Sequence, residues 1–242
     1  MKLNCDLGES FGSWNMGMDA EAMPYIDMAN IACGFHAGDP DVMQRTLTLA
    51  KKHNVIIGAH PAYPDLNGFG RRSMRCSASE IINLLHYQIA ALDGMAQSQG
   101  LTLRYVKPHG ALYNDMMADP MILTAVIQAV AAYYKPLKLM VLATADWQQL
   151  QQQAQSAGIE LLFEAFADRR YTDEGKLQPR SQQGAVLHEQ QMLQQVAQLV
   201  RTGTVTTVSG KTLALKADTL CVHGDNPTAI AQIRQIRELL QT

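Results

Sequence analysis

The chain has 242 residues, 47% of them apolar, and a formal net charge of −2. That length suits one large α/β domain, and the apolar fraction supplies an ordinary core. A near-neutral balance with no Lys/Arg cluster argues against nucleic acid or an anionic membrane as the main partner.

Residues 2–6 form a first short predicted strand, with Asp6 and Glu9 in its exit loop. Residues 11–23 read as loop. A second apolar segment, 25–33, ends at Gly34-Phe35-His36. Asp39 then suits an N-cap and Pro40 the first helical position, so a helix is predicted towards His53. Residues 55–59 are a buried strand ending at His60. The long stretch 61–77, rich in Gly, Pro and Arg, reads as a functional loop. Ser77 or Ser79 can cap a helix over 80–99, which Gly100 ends. A strand over 103–107 leads into Pro108-His109-Gly110, and a helix is expected over 120–134.

Pro136 marks the break before a strand at 137–142. Asp146 is placed to cap a Gln-rich helix that stops at Gly158. A strand over 159–166 ends at Ala167-Asp168-Arg169-Arg170, and 172–184 reads as an excursion from the main fold. A helix is expected over 189–201, a β-hairpin over 204–208 and 212–216, a last strand over 219–222 and a closing helix over 227–240. About seven strand–helix units in one domain, residues 1–242, imply a parallel sheet with helices outside it. A closed barrel would let the first and last units share one site. An open doubly wound sheet is the alternative.

The same pattern recurs around Asp6, His36, His60, His109 and His223: a short apolar run, the polar residue, then Gly or Pro and a helical pattern. Such positions are carboxyl ends of strands, where parallel α/β folds gather their chemistry. The other three histidines, His53, His86 and His188, lie in helical patterns and read as structural. Asp6 with histidines from other strands could hold a divalent metal of the Zn, Mn or Fe kind; Asp6, His36 and His60 are the ligands expected. Alternatively, Asp6 orients a histidine that acts as general base. Lys107 could stabilise an oxyanion or hold phosphate. Asp168 could position a group in the site or simply pair with Arg169. Arg71, Arg72 and Arg180 lie in polar loops that could close on an anionic substrate.

Ser209-Gly210-Lys211-Thr212 imitates the end of a phosphate-binding loop, but Val205 stands where that motif needs glycine, and the segment alternates like a hairpin. No GxGxxG or GxSxG signature is present. The four cysteines form no CxxC pair. Cys5, Cys33 and Cys221, at predicted strand ends, read as small buried residues, with a catalytic thiol as the lesser alternative. With no leader pattern and no run of about 18 apolar residues, a cytoplasmic, soluble protein is expected.

The motifs NCDLGE, NIACGFHAGDP, GAHPAYPD with GFGRR, KPHGALYN, EAFADRRY, PRSQQGA and VHGDNP together resemble the LamB/YcsF family, in that family's order and over nearly the whole chain. The resemblance implies a seven-stranded β/α barrel similar to polysaccharide deacetylases. It also implies ATP-coupled hydrolysis of 5-oxo-L-proline to L-glutamate, carried out with separate B and C subunits. On that reading Asp6, His60, Lys107, His109 and Asp168 form the catalytic group. Glu9, His36, Arg71, Arg72, Arg180 and His223 bind substrate or ATP. Two other readings remain: a metal-dependent deacetylase or amidohydrolase acting on carbohydrate, and a non-catalytic component that binds a small anion and docks on an enzyme.

Overall fold

A computed structural model describes residues 1–179, 182–224 and 227–241. The elements in chain order are β1 (Lys2–Leu7), α1 (Asp19–Ala22) with a 3-10 turn at Met23–Tyr25, β2 (Met28–Ala32) and α2 (Pro40–His53). Next come β3 (Ile56–His60), α3 (Ala78–Ser98), β4 (Leu103–Val106), α4 (Gly110–Ala118), α5 (Pro120–Ala131) and β5 (Lys138–Leu142). The chain continues with α6 (Trp147–Ser156), β6 (Leu161–Phe166), α7 (Glu189–Thr202), β7 (Thr204–Thr206), β8 (Thr212–Ala214), β9 (Thr219–Val222) and α8 (Pro227–Gln241).

Seven parallel strands close in the order β1-β2-β3-β4-β5-β6-β9, and β7 and β8 form a separate antiparallel hairpin. Because β1 pairs with both β2 and β9, the sheet has no edge and the open-sheet alternative falls. The helix starts follow local chemistry. Asp39 accepts from the Val42 amide and Pro40 opens α2, while Ser77 and Glu80 make a reciprocal capping box for α3.

Several expectations change. The 11–23 segment contains α1 and the start of the 3-10 turn. The helix α4, which the chain-order reading gave no range, begins directly after His109. Asp146 precedes α6 but makes no side-chain cap. His188 is the N-cap residue of α7 rather than a residue of the helix interior.

Alternation sorts the strand residues. Leu3, Cys5 and Leu7 of β1 face the helices and join the main core, whereas Asn4 and Asp6 project into the barrel. The lumen is plugged at one level by Met28, Tyr105 and Met140, with Ile56 and Leu162 against them. Gly58 makes room for Tyr105: a Cβ at that position would lie 2.2 Å from the ring. Above this plug the lumen turns polar.

Candidate active site

The polar lumen is built around one buried cation. Lys107, at the end of β4, places Nζ 2.8 Å from Asp6 Oδ1, 2.7 Å from Glu164 Oε1 and 3.4 Å from Cys221 Sγ. Asn30 donates to Asp6 Oδ1 and to Asn4 Oδ1, both at 2.7 Å, and Tyr105 donates to Asn30 Oδ1 at 2.6 Å. Tyr113 of α4 donates to Glu164 Oε2 at 3.0 Å. The first strand, its neighbour, the fourth, the sixth and the ninth thus meet in one network.

Burial works against the Lys107 charge, but the carboxylates of Asp6 and Glu164 outweigh it and hold the ammonium well above its ordinary range. Burial would likewise raise the Asp6 carboxyl. Contact with the His60 imidazole and the Lys107 ammonium overcomes that and keeps it ionised well below the usual range. Burial pushes the Cys221 thiol well up despite Lys107, so no thiolate nucleophile forms there.

A tier of histidines stands over this network. The His36 and His109 rings stack with centroids 3.7 Å apart, and His60 meets both edge-on. His60 Nδ1 is 2.7 Å from the Lys107 carbonyl, His109 Nε2 is 2.9 Å from the Phe69 carbonyl, and the remaining nitrogens of the two rings face each other at 2.9 Å. Glu9 Oε1 lies 3.0 Å from His36 Nε2 and 3.5 Å from His109 Nδ1. Asp6 joins the two tiers: its Oδ2 is 3.4 Å from His60 Nε2 while Oδ1 holds Lys107. Burial, and then the neighbouring imidazoles, lower His36 and His109 well below the usual histidine range, so both are neutral bases at neutral pH.

One backbone contact locks the long loop over this tier. The Ala111 amide at the start of α4 donates to the Gly70 carbonyl at 2.8 Å. Gly110 has φ +55° and a Cβ there would lie 2.5 Å from that same oxygen, so only glycine fits.

A cavity of about 540 Å³ opens on Asp6, Glu9, His60, Lys107, His109 and His223, with Arg71 and Arg169 also on its wall. Arg71 lies over Phe69 at 5.2 Å. Arg72 turns away, 68% exposed and engaged with Asp65. Asp168 pairs with His223 Nδ1 at 3.2 Å, and Arg169 donates to the Gln178 carbonyl at 2.6 Å. Arg180 lies outside the described residues. A larger hollow of about 1120 Å³ opens at the amino ends of the strands, on Lys2, Ile56, Tyr105 and Leu162, and carries none of the histidines. The chemistry decides for the smaller cavity.

Metal-ligand geometry gathers a different set from the one expected. Ligand atoms of Glu9, His36, His60 and His109 lie within 4.8 Å of one another. Asp6 falls instead in a second group with Cys221 and His223, where the Lys107 ammonium already supplies the positive charge. The Ser209-Gly210 stretch is the hairpin turn between β7 and β8, and Lys211 binds Asp173 at 2.8 Å, so it cradles no phosphate.

Sequence reasoning missed Glu164, Tyr113, Asn4, Asn30 and Tyr105. Three carry a readable signal: a charge or amide inside an otherwise apolar strand, as in LLFEAF, MANIA and KLNCDL. Tyr105 and Tyr113 look like core aromatics, and only the structure shows their hydroxyls in the network.

Strand-end histidines and carboxylates over a buried lysine define a parallel β/α barrel with an enzyme-type site at the carboxyl ends of its strands. The chain belongs to the LamB/YcsF family, whose model matches residues 1–242. It is 60% identical to a 5-oxoprolinase A subunit of Pseudomonas putida, over 98% of this chain and 93% of that one. It is 56% identical to the 5-oxoprolinase A subunit of Vibrio cholerae, over 99% and 97%. The crystal structure of a lactam utilization protein from Thermus thermophilus superposes with a TM-score of 0.92 at 40% identity, covering 100% of this chain and 96% of that one.

Proposed function

We propose that this chain is the A subunit of an ATP-dependent 5-oxoprolinase, a cyclic-amide hydrolase that opens 5-oxo-L-proline to L-glutamate. It would act as one barrel domain in the cytoplasm, with separate B and C subunits. The relatives' names support the lactam and the multi-subunit arrangement, and favour them over a carbohydrate deacetylase. No helix among the described residues is long and apolar enough to cross a membrane. The observation that carries the catalytic reading is geometric: Asp6 lies 3.4 Å from His60, and the two share one cavity wall with Lys107, His109 and His223.

A five-membered lactam is a stable amide. Transfer of the γ-phosphoryl group of ATP to the amide oxygen, with release of ADP, would make the carbon electrophilic; water could then add to it, and cleavage of the ring C–N bond with loss of inorganic phosphate would leave L-glutamate. Arg71, on the cavity wall, suits the substrate carboxylate because guanidinium binds two oxygens at once. His109 or His60 would take the proton of the attacking water, and Asp6, 3.4 Å from His60 Nε2, would stabilise the imidazolium that then forms. Lys107 would hold Asp6 ionised and present positive charge to the developing oxyanion; its two carboxylate contacts make it a poor sole anchor for phosphate. The Asp168–His223 pair lies beside the same cavity and would bind substrate or assist proton transfer.

The test is reconstitution. The purified chain is combined with the B and C subunits, 5-oxoproline and ATP, and each component is omitted in turn while glutamate and ADP are followed. Glutamate that requires ATP and all three proteins is the expected result. ATP-independent release of acetate from an acetylated sugar by the chain alone would replace the proposal with the deacetylase reading.

A further inference from the structure

The hydrogen bonds of the histidine tier leave a charge to be found. The Lys107 and Phe69 carbonyls can only accept, so His60 Nδ1 and His109 Nε2 must carry their rings' hydrogens. In neutral imidazoles the opposite nitrogens then hold bare lone pairs, yet those two atoms face each other at 2.9 Å. Glu9 Oε1 joins them, 3.5 Å from His109 Nδ1, 4.0 Å from His60 Nε2 and 3.0 Å from His36 Nε2. Lone pairs of His60, His109 and Glu9 thus face one region, and His36 Nε2 lies at its edge, 3.0 Å from the same Glu9 oxygen.

We propose that Glu9, His36, His60 and His109 hold a divalent transition-metal cation of the zinc class. The donor set is three imidazole nitrogens and a carboxylate oxygen, which such ions favour. With bonds of about 2.1 Å, neighbouring ligand atoms stand roughly 3.0 to 3.4 Å apart in octahedral or tetrahedral sites. The separations of 2.9, 3.0 and 3.5 Å lie near that range without any ion imposed, while Glu9 Oε1 to His60 Nε2, at 4.0 Å, would have to close on binding. The two backbone carbonyls behind His60 and His109 supply the outer-shell anchoring that fixes a ligating imidazole's tautomer. A single shared proton would bridge only the His60–His109 pair. It would not explain why one Glu9 oxygen sits 3.0, 3.5 and 4.0 Å from three imidazole nitrogens.

The site opens on the cavity through Glu9, His60 and His109, so the cation would supply a Lewis acid to whatever binds there. His36 Nδ1 has no hydrogen-bond partner among the described residues, which makes His36 the least anchored of the three imidazoles. This deepens the reading of the same site and revises one role in it: with the cation bound, His60 and His109 are ligands, and the general-base role passes to His223, the other imidazole on the cavity wall. Its test needs neither substrate nor partner proteins.

The full chain is stripped with chelator and titrated with Co²⁺ alone, followed by visible absorption and by metal content after gel filtration. The expected result is about one Co²⁺ per chain, with ligand-field bands that report nitrogen and oxygen donors. Outer-shell changes alone weaken metal sites about 10–100-fold, so Glu9→Gln and His60→Asn should each weaken Co²⁺ by more than about a hundredfold. His53→Ala, at the end of α2 and outside the cluster, should leave uptake unchanged. Failure of the wild-type chain to take up Co²⁺ overturns the proposal, whatever the variants do. So does uptake that persists at full strength in folded Glu9→Gln and His60→Asn. Glutamate formation in the absence of any uptake would leave the 5-oxoprolinase reading standing and remove only the cation.

Discussion

Lys107→Met tests whether the lumen is held by its central cation. In the native chain one ammonium, 3% exposed, lies between Asp6 and the fully buried Glu164, at 2.8 and 2.7 Å. Methionine keeps the volume but leaves two carboxylates sharing a poorly hydrated space. Breaking a buried pair by removing one partner destabilises by about 3–5 kcal/mol, and here the stranded partners are two like charges. The upper part of that range is expected at pH 7. The loss should depend on pH, with a defined sign. Without Lys107, one of the two carboxyls titrates in the folded state above its unfolded value of about 4. The folded variant then binds more protons than the unfolded chain, so its stability falls as pH rises through that window. In the wild type Asp6 is depressed instead, and its contribution is present above about pH 4 and lost as pH falls through its folded value. Both effects shrink the difference between variant and wild type on acidification. Urea unfolding at about pH 5, 7 and 8 measures it, with Lys107→Met/Glu164→Gln closing a double-mutant cycle. A loss under about 1 kcal/mol that does not change with pH would refute the assignment of Lys107 as the counter-ion of the lumen.

Gly58→Ala should lower unfolding free energy by about 3 kcal/mol or more. The added methyl drives Tyr105 off its site and breaks the 2.6 Å bond to Asn30. Near-normal urea unfolding would show that the ring can move at little cost. Arg71→Ala should raise KM for 5-oxoproline about 10–100-fold, the worth of a charge-assisted bond, with kcat and thermal unfolding little changed. An unchanged KM would remove Arg71 from carboxylate binding. Ser77→Ala should cost about 1 kcal/mol through loss of the capping box on α3, while turnover stays at the wild-type level. A fall in turnover at full folding would mean that α3 positions the loop preceding it.

The strand ends were readable because each joins two unlike signals. An apolar run stops at a histidine or carboxylate, and Gly or Pro follows. What could not be read is which ends meet. Closure rests on β1 pairing with β9, whose residues lie far apart along the chain, as Asn4 and Thr219 do when they bond at 2.9 Å. The range of α4 escaped because its first residue, Gly110, reads as a breaker, and its positive φ is chosen for the approach of Gly70 rather than for helix propensity. Glu9 and His109 were expected in binding and catalysis, with Asp6 among the metal ligands. The fold instead commits one Asp6 oxygen to Lys107, and sequence spacing carries no record of that choice.

The division of Asp6 between two tiers explains why a polar lumen can coexist with a stable barrel. Its Oδ1 accepts from Asn30 and Lys107, so that oxygen is satisfied within the protein and does not require solvent. Its Oδ2 remains directed at His60, the imidazole that also contacts His109. The apolar plug of Met28, Tyr105 and Met140 closes the lumen from below, which leaves the carboxyl-end cavity as the face from which a ligand reaches these groups. A buried ion pair is weak evidence for stability by itself, because desolvation consumes much of its attraction. Its value here lies in fixing an ionised carboxylate beneath neutral imidazoles. An apolar replacement of the lower tier could keep the barrel folded, yet it would leave Asp6 without the charge that holds it ionised and His60 without a fixed carboxylate partner.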